Sequence, residues 1–118
     1  MKIDKEQVFE KMRSGEAVVL NVLSRAKFNR LHIKGSENLP LGEDAEAFCL
    51  EAKERFGKEK LFILYCDHFG LLESYQAVQA LEGKGFKARN YSGGLQEWFR
   101  AGLPVEGSQL ELEPQEAV

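Results

Sequence analysis

In Leu61-Phe62-Ile63-Leu64-Tyr65-Cys66 an unbroken apolar run ends on a cysteine. Asp67-His68-Phe69-Gly70-Leu71-Leu72 follows as a short loop, and Glu73-Ser74-Tyr75-Gln76-Ala77-Val78-Gln79-Ala80-Leu81 opens a helical pattern. The continuous run reads as a strand covered on both faces. Ser74, Ala77, Val78 and Leu81 recur at i, i+3, i+4 and i+7, the spacing of an amphipathic helix that stops near Gly83–Gly85. The order strand, thiol, loop, helix sets the sulfur between the carboxyl end of a buried strand and the start of a helix. Backbone N–H groups and the positive end of the helix dipole meet there and favour an anion. A thiolate is such an anion, so the position suits a nucleophilic cysteine.

The same alternation extends outward from this unit. Toward the N-terminus, Ala45, Phe48, Cys49, Ala52 and Phe56 fall at helical spacing and Gly57 ends that segment. His32-Ile33-Lys34-Gly35-Ser36-Glu37-Asn38-Leu39-Pro40 reads as a turn and a short strand stopped by proline. Ser24 caps a short helical piece through Phe28 and Leu31, and Val18-Val19-Leu20-Asn21-Val22 reads as a buried strand. Asp4 is a candidate N-cap for a stripe of Val8, Phe9 and Met12 that runs to Gly15. Toward the C-terminus, Phe86 to Tyr91 reads as a strand and Gly93-Gly94 breaks the chain. Leu95, Trp98 and Phe99 form the apolar face of a last helix closed by Gly102, and Leu103-Pro104-Val105 docks on the core. From Gly107 onward the chain is polar and acidic. The expected organisation is one domain over 1–106 and a flexible acidic tail over 107–118. Strands alternating with helices imply an α/β fold with a mainly parallel sheet and helices on both faces. Sites in such sheets form at the carboxyl ends of strands, where Cys66 stands.

Composition narrows the classes of function. A chain of 118 residues fits one core, and 43% apolar with 30% charged residues is ordinary for a soluble globule. A net charge of −3 without a basic cluster argues against a nucleic-acid partner. The apolar runs are too short to span a bilayer, so no membrane association is expected. Met1-Lys2-Ile3-Asp4-Lys5-Glu6 lacks the apolar core of a signal peptide. The expectation is therefore a cytoplasmic protein whose two cysteines are free thiols. Cys66-Asp67-His68 has no second ligand pair at metal-binding spacing, so no metal is expected, and no cofactor is implied. Cys49 lies on an apolar stripe and reads as packing, and Trp98 reads as core.

Three segments resemble those of the single-domain rhodaneses, a sulfurtransferase family. Asn21-Val22, followed by His32-Ile33-Lys34-Gly35-Ser36-Glu37-Asn38-Leu39-Pro40, is similar to the family's Asp-Val-Arg and Gly-His-Ile-Pro-Gly-Ala-x-Asn-x-Pro elements. Leu64-Tyr65-Cys66 with Ser74, Ala77, Leu81, Gly85 and Phe86 resembles its strand–cysteine–loop–helix unit. Tyr91-Ser92-Gly93-Gly94-Leu95-Gln96-Glu97-Trp98, with Ala101-Gly102-Leu103-Pro104-Val105, resembles its Gly-Gly-x-x-x-Trp signature. The resemblance spans residues 4–106 and implies a rhodanese-like three-layer fold. It gives His32 a structural role, its ring hydrogen-bonded near the turn.

The resemblance also implies a reaction. The cysteine thiolate, here Cys66, takes the outer sulfur of thiosulfate or a persulfide and carries it as a persulfide. A thiol or a protein acceptor then removes it. Asp67, His68, Phe69, Gly70, Leu71 and Leu72 would form the substrate-contacting loop, with Gly70 aiming amides at the sulfur. The loop departs from the family pattern. It is two residues longer than usual between Cys66 and Ser74, and it contains no arginine or lysine. Leu71 and Leu72 stand where a subgroup with this lengthening holds a second cysteine, and Leu23 and Asn21 replace the Arg and Asp of Asp-Val-Arg. Thiosulfate is therefore expected to be a weak donor, and a neutral or protein-bound persulfide a better one. The alternative is a non-catalytic binding or regulatory module. A phosphatase or arsenate reductase of related fold is disfavoured, because such enzymes need an arginine where this chain has Leu72.

Overall fold

A four-stranded parallel sheet carries the site. The structure is a computed structural model that describes residues 3–68 and 71–112. Helix α1 (Lys5–Ser14) begins at a capping box: Asp4 accepts from the Gln7 amide, Gln7 returns a bond to the Asp4 amide, and left-handed Gly15 ends it. Strand β1 (Ala17–Asn21) follows, then α2 (Arg25–Arg30), whose N-cap Ser24 accepts from the Lys27 amide. Helix α3 (Ala45–Phe56) stops at Gly57, as its spacing predicts, and begins at an Asp44 cap that the structure reveals. Strand β4 (Leu61–Tyr65) leads through Cys66 into α4 (Glu73–Gly83). Strand β5 (Lys87–Asn90) and helix α5 (Gly94–Arg100) complete the pattern.

The segment after α2 divides into two strands. His32–Ile33 forms β2 and Glu37–Asn38 forms β3, and the two join different sheets. β3 pairs in parallel with β1, giving the order β3-β1-β4-β5. β2 instead pairs antiparallel with β6 (Val105–Glu106), so His32 faces Glu106 and Ile33 faces Val105. A short helix, α6 (Ser108–Leu112), follows within the segment read from sequence as tail and packs against α2.

β1 and β4 align from Ala17 with Leu61 to Asn21 with Tyr65, and β4 aligns with β5 from Leu61 with Lys87 to Leu64 with Asn90. The two-residue period of a strand separates the side chains of β4 into two layers. Phe62, Leu64 and Cys66 pack with Phe48, Cys49 and Ala52 of α3 and with Ala77, Val78 and Leu81 of α4. Ile63 and Tyr65 pack on the opposite face with Val8 of α1 and with Leu95 and Trp98 of α5. Both faces of the sheet are thus covered, which is why β4 reads as continuous apolar sequence. The Trp98 indole N–H donates to the Pro104 carbonyl at 2.8 Å, so the core tryptophan also anchors the segment leading to β6. Among the described residues no helix is long and apolar enough to cross a membrane.

Candidate active site at the end of β4

Cys66 stands one residue beyond β4 and is buried, with 3% of its surface exposed. Its sulfur faces the first turn of α4, where Ser74 Oγ lies 3.4 Å from Sγ. Ser74 is itself buried, at 2% exposed, so the pair is shielded from bulk water. Leu72 occupies the N-cap position of α4 and makes no side-chain capping bond. First-turn amides of a helix have no partner within the helix, and the macrodipole adds to their pull on negative charge.

A second helix start fixes the backbone of the thiol. The Leu95 amide donates to the Cys66 carbonyl at 2.9 Å, and the Gln96 amide donates to the Asp67 carbonyl at 2.8 Å. Gly94 brings α5 this close. Its φ of +68° is left-handed, and a Cβ there would lie 2.6 Å from the Cys66 carbonyl oxygen. The Gly93-Gly94 doublet reads in sequence as a chain break; in three dimensions it fastens the cysteine's own peptide. The doublet was the available signal, but only the fold shows which strand end it meets.

Each residue of the expected loop has a distinct place. Asp67 is partly buried and His68 is exposed. Phe69 and Gly70 lie outside the described residues. Leu71 is partly buried and packs on the cluster that holds Cys66, with its amide bonded to the His68 carbonyl at 3.3 Å. Leu72 projects outward, 61% exposed. Only one of the two leucines therefore lies over the thiol's layer.

The preceding strand residue supports the site from the other face. Tyr65 is fully buried, and its hydroxyl accepts from the Ile33 amide at 3.0 Å. Ser36 Oγ donates to the Ile33 carbonyl at 2.7 Å, which leaves the Tyr65 hydroxyl to donate to Ser36 across 2.8 Å. The turn after β2 is thus tied to β4. Burial pushes the Tyr65 phenol above its ordinary range. At the end of β1, Asn21 Oδ1 accepts from the Leu23 amide at 2.8 Å, and Asn38 Nδ2 donates to the Leu23 carbonyl at 2.9 Å. These amides shape the chain where the family pattern has Asp and Arg. His32 takes the structural place read for it: its Nδ1 bonds the Phe28 carbonyl at 2.7 Å, and its ring stacks on Phe28.

Cys49 is a different kind of thiol. It packs between α3 and α4 with Sγ 3.4 Å from the Ala80 carbonyl, and burial pushes its pKa up. Both cysteines are free.

A family model matches most of the chain. The model described as the rhodanese-like domain aligns with residues 4–101. The chain belongs to the rhodanese-like domain family. Solved rhodanese-like structures agree with this fold. The NMR structure of a rhodanese-like domain from Anabaena sp. superposes with a TM-score of 0.79 at 25% identity, covering 99% of this chain and 86% of that one. A rhodanese-related protein from Thermoplasma volcanium superposes at 0.72 with 24% identity, covering 89% of this chain and 96% of that one. In sequence, this rhodanese-like domain is 25% identical over 104 residues to an HTH-type transcriptional regulator of Mycobacterium tuberculosis. That match covers 88% of this chain, which spans only 44% of the regulator's length.

Proposed function

We propose that this rhodanese-like domain moves sulfane sulfur through a persulfide on Cys66. The supporting observation is the position of Sγ: buried at the end of β4, 3.4 Å from Ser74 Oγ at the start of α4, with its carbonyl bonded to the start of α5. The Cys66 thiolate attacks the outer sulfur of a donor, and a new S–S bond forms as the donor's inner sulfur leaves with the electron pair. An acceptor thiolate then attacks the outer sulfur of the Cys66 persulfide and releases the Cys66 thiolate. Members of this family include enzymes that act in this way, and the geometry suits the chemistry: orphan helix amides stabilise anionic sulfur in each state.

The donor is a small or protein-bound persulfide in preference to thiosulfate. Residues 67–73 carry Asp67 and Glu73 and no arginine or lysine. A charged hydrogen bond to an oxyanion is worth about 1.5–3 kcal/mol, so each missing one costs roughly one to two decades. Incubation with thiosulfate, inorganic polysulfide or an organic persulfide, followed by intact-mass measurement, tests the reading. One added sulfur that disappears in Cys66→Ser is the expected result. Failure of every donor to load Cys66 overturns it.

A second reading is a non-catalytic regulatory module. One observation favours it: the domain resembles part of a transcriptional regulator. In that case Cys66→Ser preserves the cellular role of the full protein, whereas sulfur transfer requires its loss.

A further inference from the structure

The strand order β3-β1-β4-β5 reverses direction between β1 and β4. The chain leaves β1 toward β3 on one side and returns to β4 and β5 on the other. In open parallel sheets a crevice forms outside the carboxyl ends at such a switch point, and ligands bind there. A cavity of about 270 Å³ opens at this place. Leu23, just past β1, and Asp67, just past Cys66, line it, and Leu23 also packs in the cluster that contains Cys66. Helices α2 and α5, Leu31 just past α2, and Gln109 of α6 complete the lining.

Its lining has two characters. Among the described lining residues, Lys27 and Arg30 of α2 bring two cations, against the single carboxylate of Asp67. Neither cation forms an ion pair among the described residues, although several other basic side chains do. Leu95 and Phe99 of α5 bring apolar surface, and Phe99 is 48% exposed, a large aromatic face left to solvent beside the cavity. A void of this size lies just below the range of about 300–1,000 Å³ typical of organic-ligand pockets, so it takes part of a small organic molecule, and it exceeds what an inorganic oxyanion needs. The positive charge absent from the loop after Cys66 thus lies next door, on α2.

We propose that this crevice holds the organic body of a small carboxylate-bearing persulfide, RS–SH, with Lys27 and Arg30 on its carboxylate and Phe99 on its apolar part. The proposal rests on the reading of Cys66 as a sulfur carrier. Cys66 does not line the crevice, so the donor's persulfide end reaches past Asp67 to the thiol; the bond from Cys66 to the outer sulfur forms, the S–S bond to R breaks, and RS⁻ leaves with the electron pair. The same pocket accepts RS⁻ for the reverse transfer. Asp67 repels free inorganic anions near the sulfur, while a ligand held at α2 keeps its carboxylate away from that repulsion.

The test uses glutathione persulfide and its diethyl ester as donors, with sulfur on Cys66 read by intact mass. The wild type is expected to load faster from the acid than from the ester. Lys27→Glu combined with Arg30→Glu should lower that acid-to-ester rate ratio by about tenfold or more, the loss of a charge-assisted contact. A ratio unchanged by the variant overturns the pocket. Both side chains are exposed, so the variant is expected to fold. An NMR titration with unreactive S-methylglutathione separates this proposal from the sulfur-transfer reading. Shifts at the Lys27, Arg30 and Phe99 amides that vanish in the variant support the pocket, and their absence overturns it. If no donor loads wild-type Cys66, the sulfur-transfer reading fails, and the titration alone decides the pocket.

Discussion

Gly94 presses its backbone against Cys66: a side chain at residue 94 would begin 2.6 Å from the Cys66 carbonyl oxygen and 3.0 Å from that of Asp67. Neither obstacle is a flexible side-chain tip. Both are backbone atoms that already accept from the amides of Leu95 and Gln96. The start of α5 and the peptide of the thiol therefore move together.

Gly94→Ala is expected to destabilise the fold by about 2–4 kcal/mol, combining left-handed strain with the steric conflict. It should also slow sulfur loading by shifting the Cys66 peptide. Gly102→Ala is the control. Its φ is +77°, but a Cβ there meets nothing within 4 Å, so only about 1–2 kcal/mol of conformational strain applies. Urea unfolding of both variants checks the contrast, and equal losses would show that the contact with Cys66 is slack.

Ser74→Ala removes the hydroxyl 3.4 Å from the sulfur and adds no bulk. A net hydrogen bond is worth about 0.5–1.5 kcal/mol, so persulfide formation should slow by about two- to tenfold while stability changes by about 1 kcal/mol or less. Single-turnover loading with an organic persulfide measures the rate. Unaltered kinetics would show that the hydroxyl only fills space.

Cys49 should resist modification. Burial raises its pKa and so disfavours the thiolate, the reactive form. In the Cys66→Ser variant, iodoacetamide at neutral pH should leave the folded protein unlabelled and modify Cys49 only after denaturation. Rapid labelling of the folded variant would place Cys49 among the accessible thiols.

Alkaline pH should weaken the fold in a definite window. Tyr65 and Tyr91 are both raised above the ordinary phenol value of 10.0, first by burial and, for Tyr91, next by its hydrogen bond to Glu97. The native state therefore holds these protons more tightly than the unfolded chain. Stability from this source is fully present below pH 10.0 and falls as pH rises toward the higher native values. Urea midpoints should stay level between about pH 7 and 9 and decline beyond about 10. Tyr91→Phe should make that decline shallower. A midpoint that holds to about pH 11 would contradict the burial of these hydroxyls.

The unit from Leu61 to Leu81 was legible because its two periods are unambiguous: a continuous apolar run, then i, i+3, i+4, i+7 spacing. Helix caps at Asp4 and Ser24 were equally local, each a side chain bonding an amide within its own turn, while the similar cap at Asp44 emerged only in the structure. What escaped the sequence depends on partners far along the chain. His32–Ile33 is too short to announce itself as a strand, and it exists because Val105–Glu106 comes to meet it. Leu71 and Leu72 are the same residue type, so nothing local says that one packs inward and the other faces solvent. Lys27 and Arg30 look like ordinary solvated charges until the strand order places them beside the carboxyl ends of β1 and β4.

The alternation of β4 makes the site sensitive to counting as well as to chemistry. Phe62, Leu64 and Cys66 face α3 and α4, while Ile63 and Tyr65 face α1 and α5. Deleting one residue before Cys66, with β4 still anchored at Leu61, would keep every neighbouring residue type yet reverse the parity of the strand end. The thiol would then turn toward the Trp98 layer, away from Ser74. For anyone splicing or grafting this segment into another scaffold, the length from Leu61 to Cys66 matters as much as the cysteine.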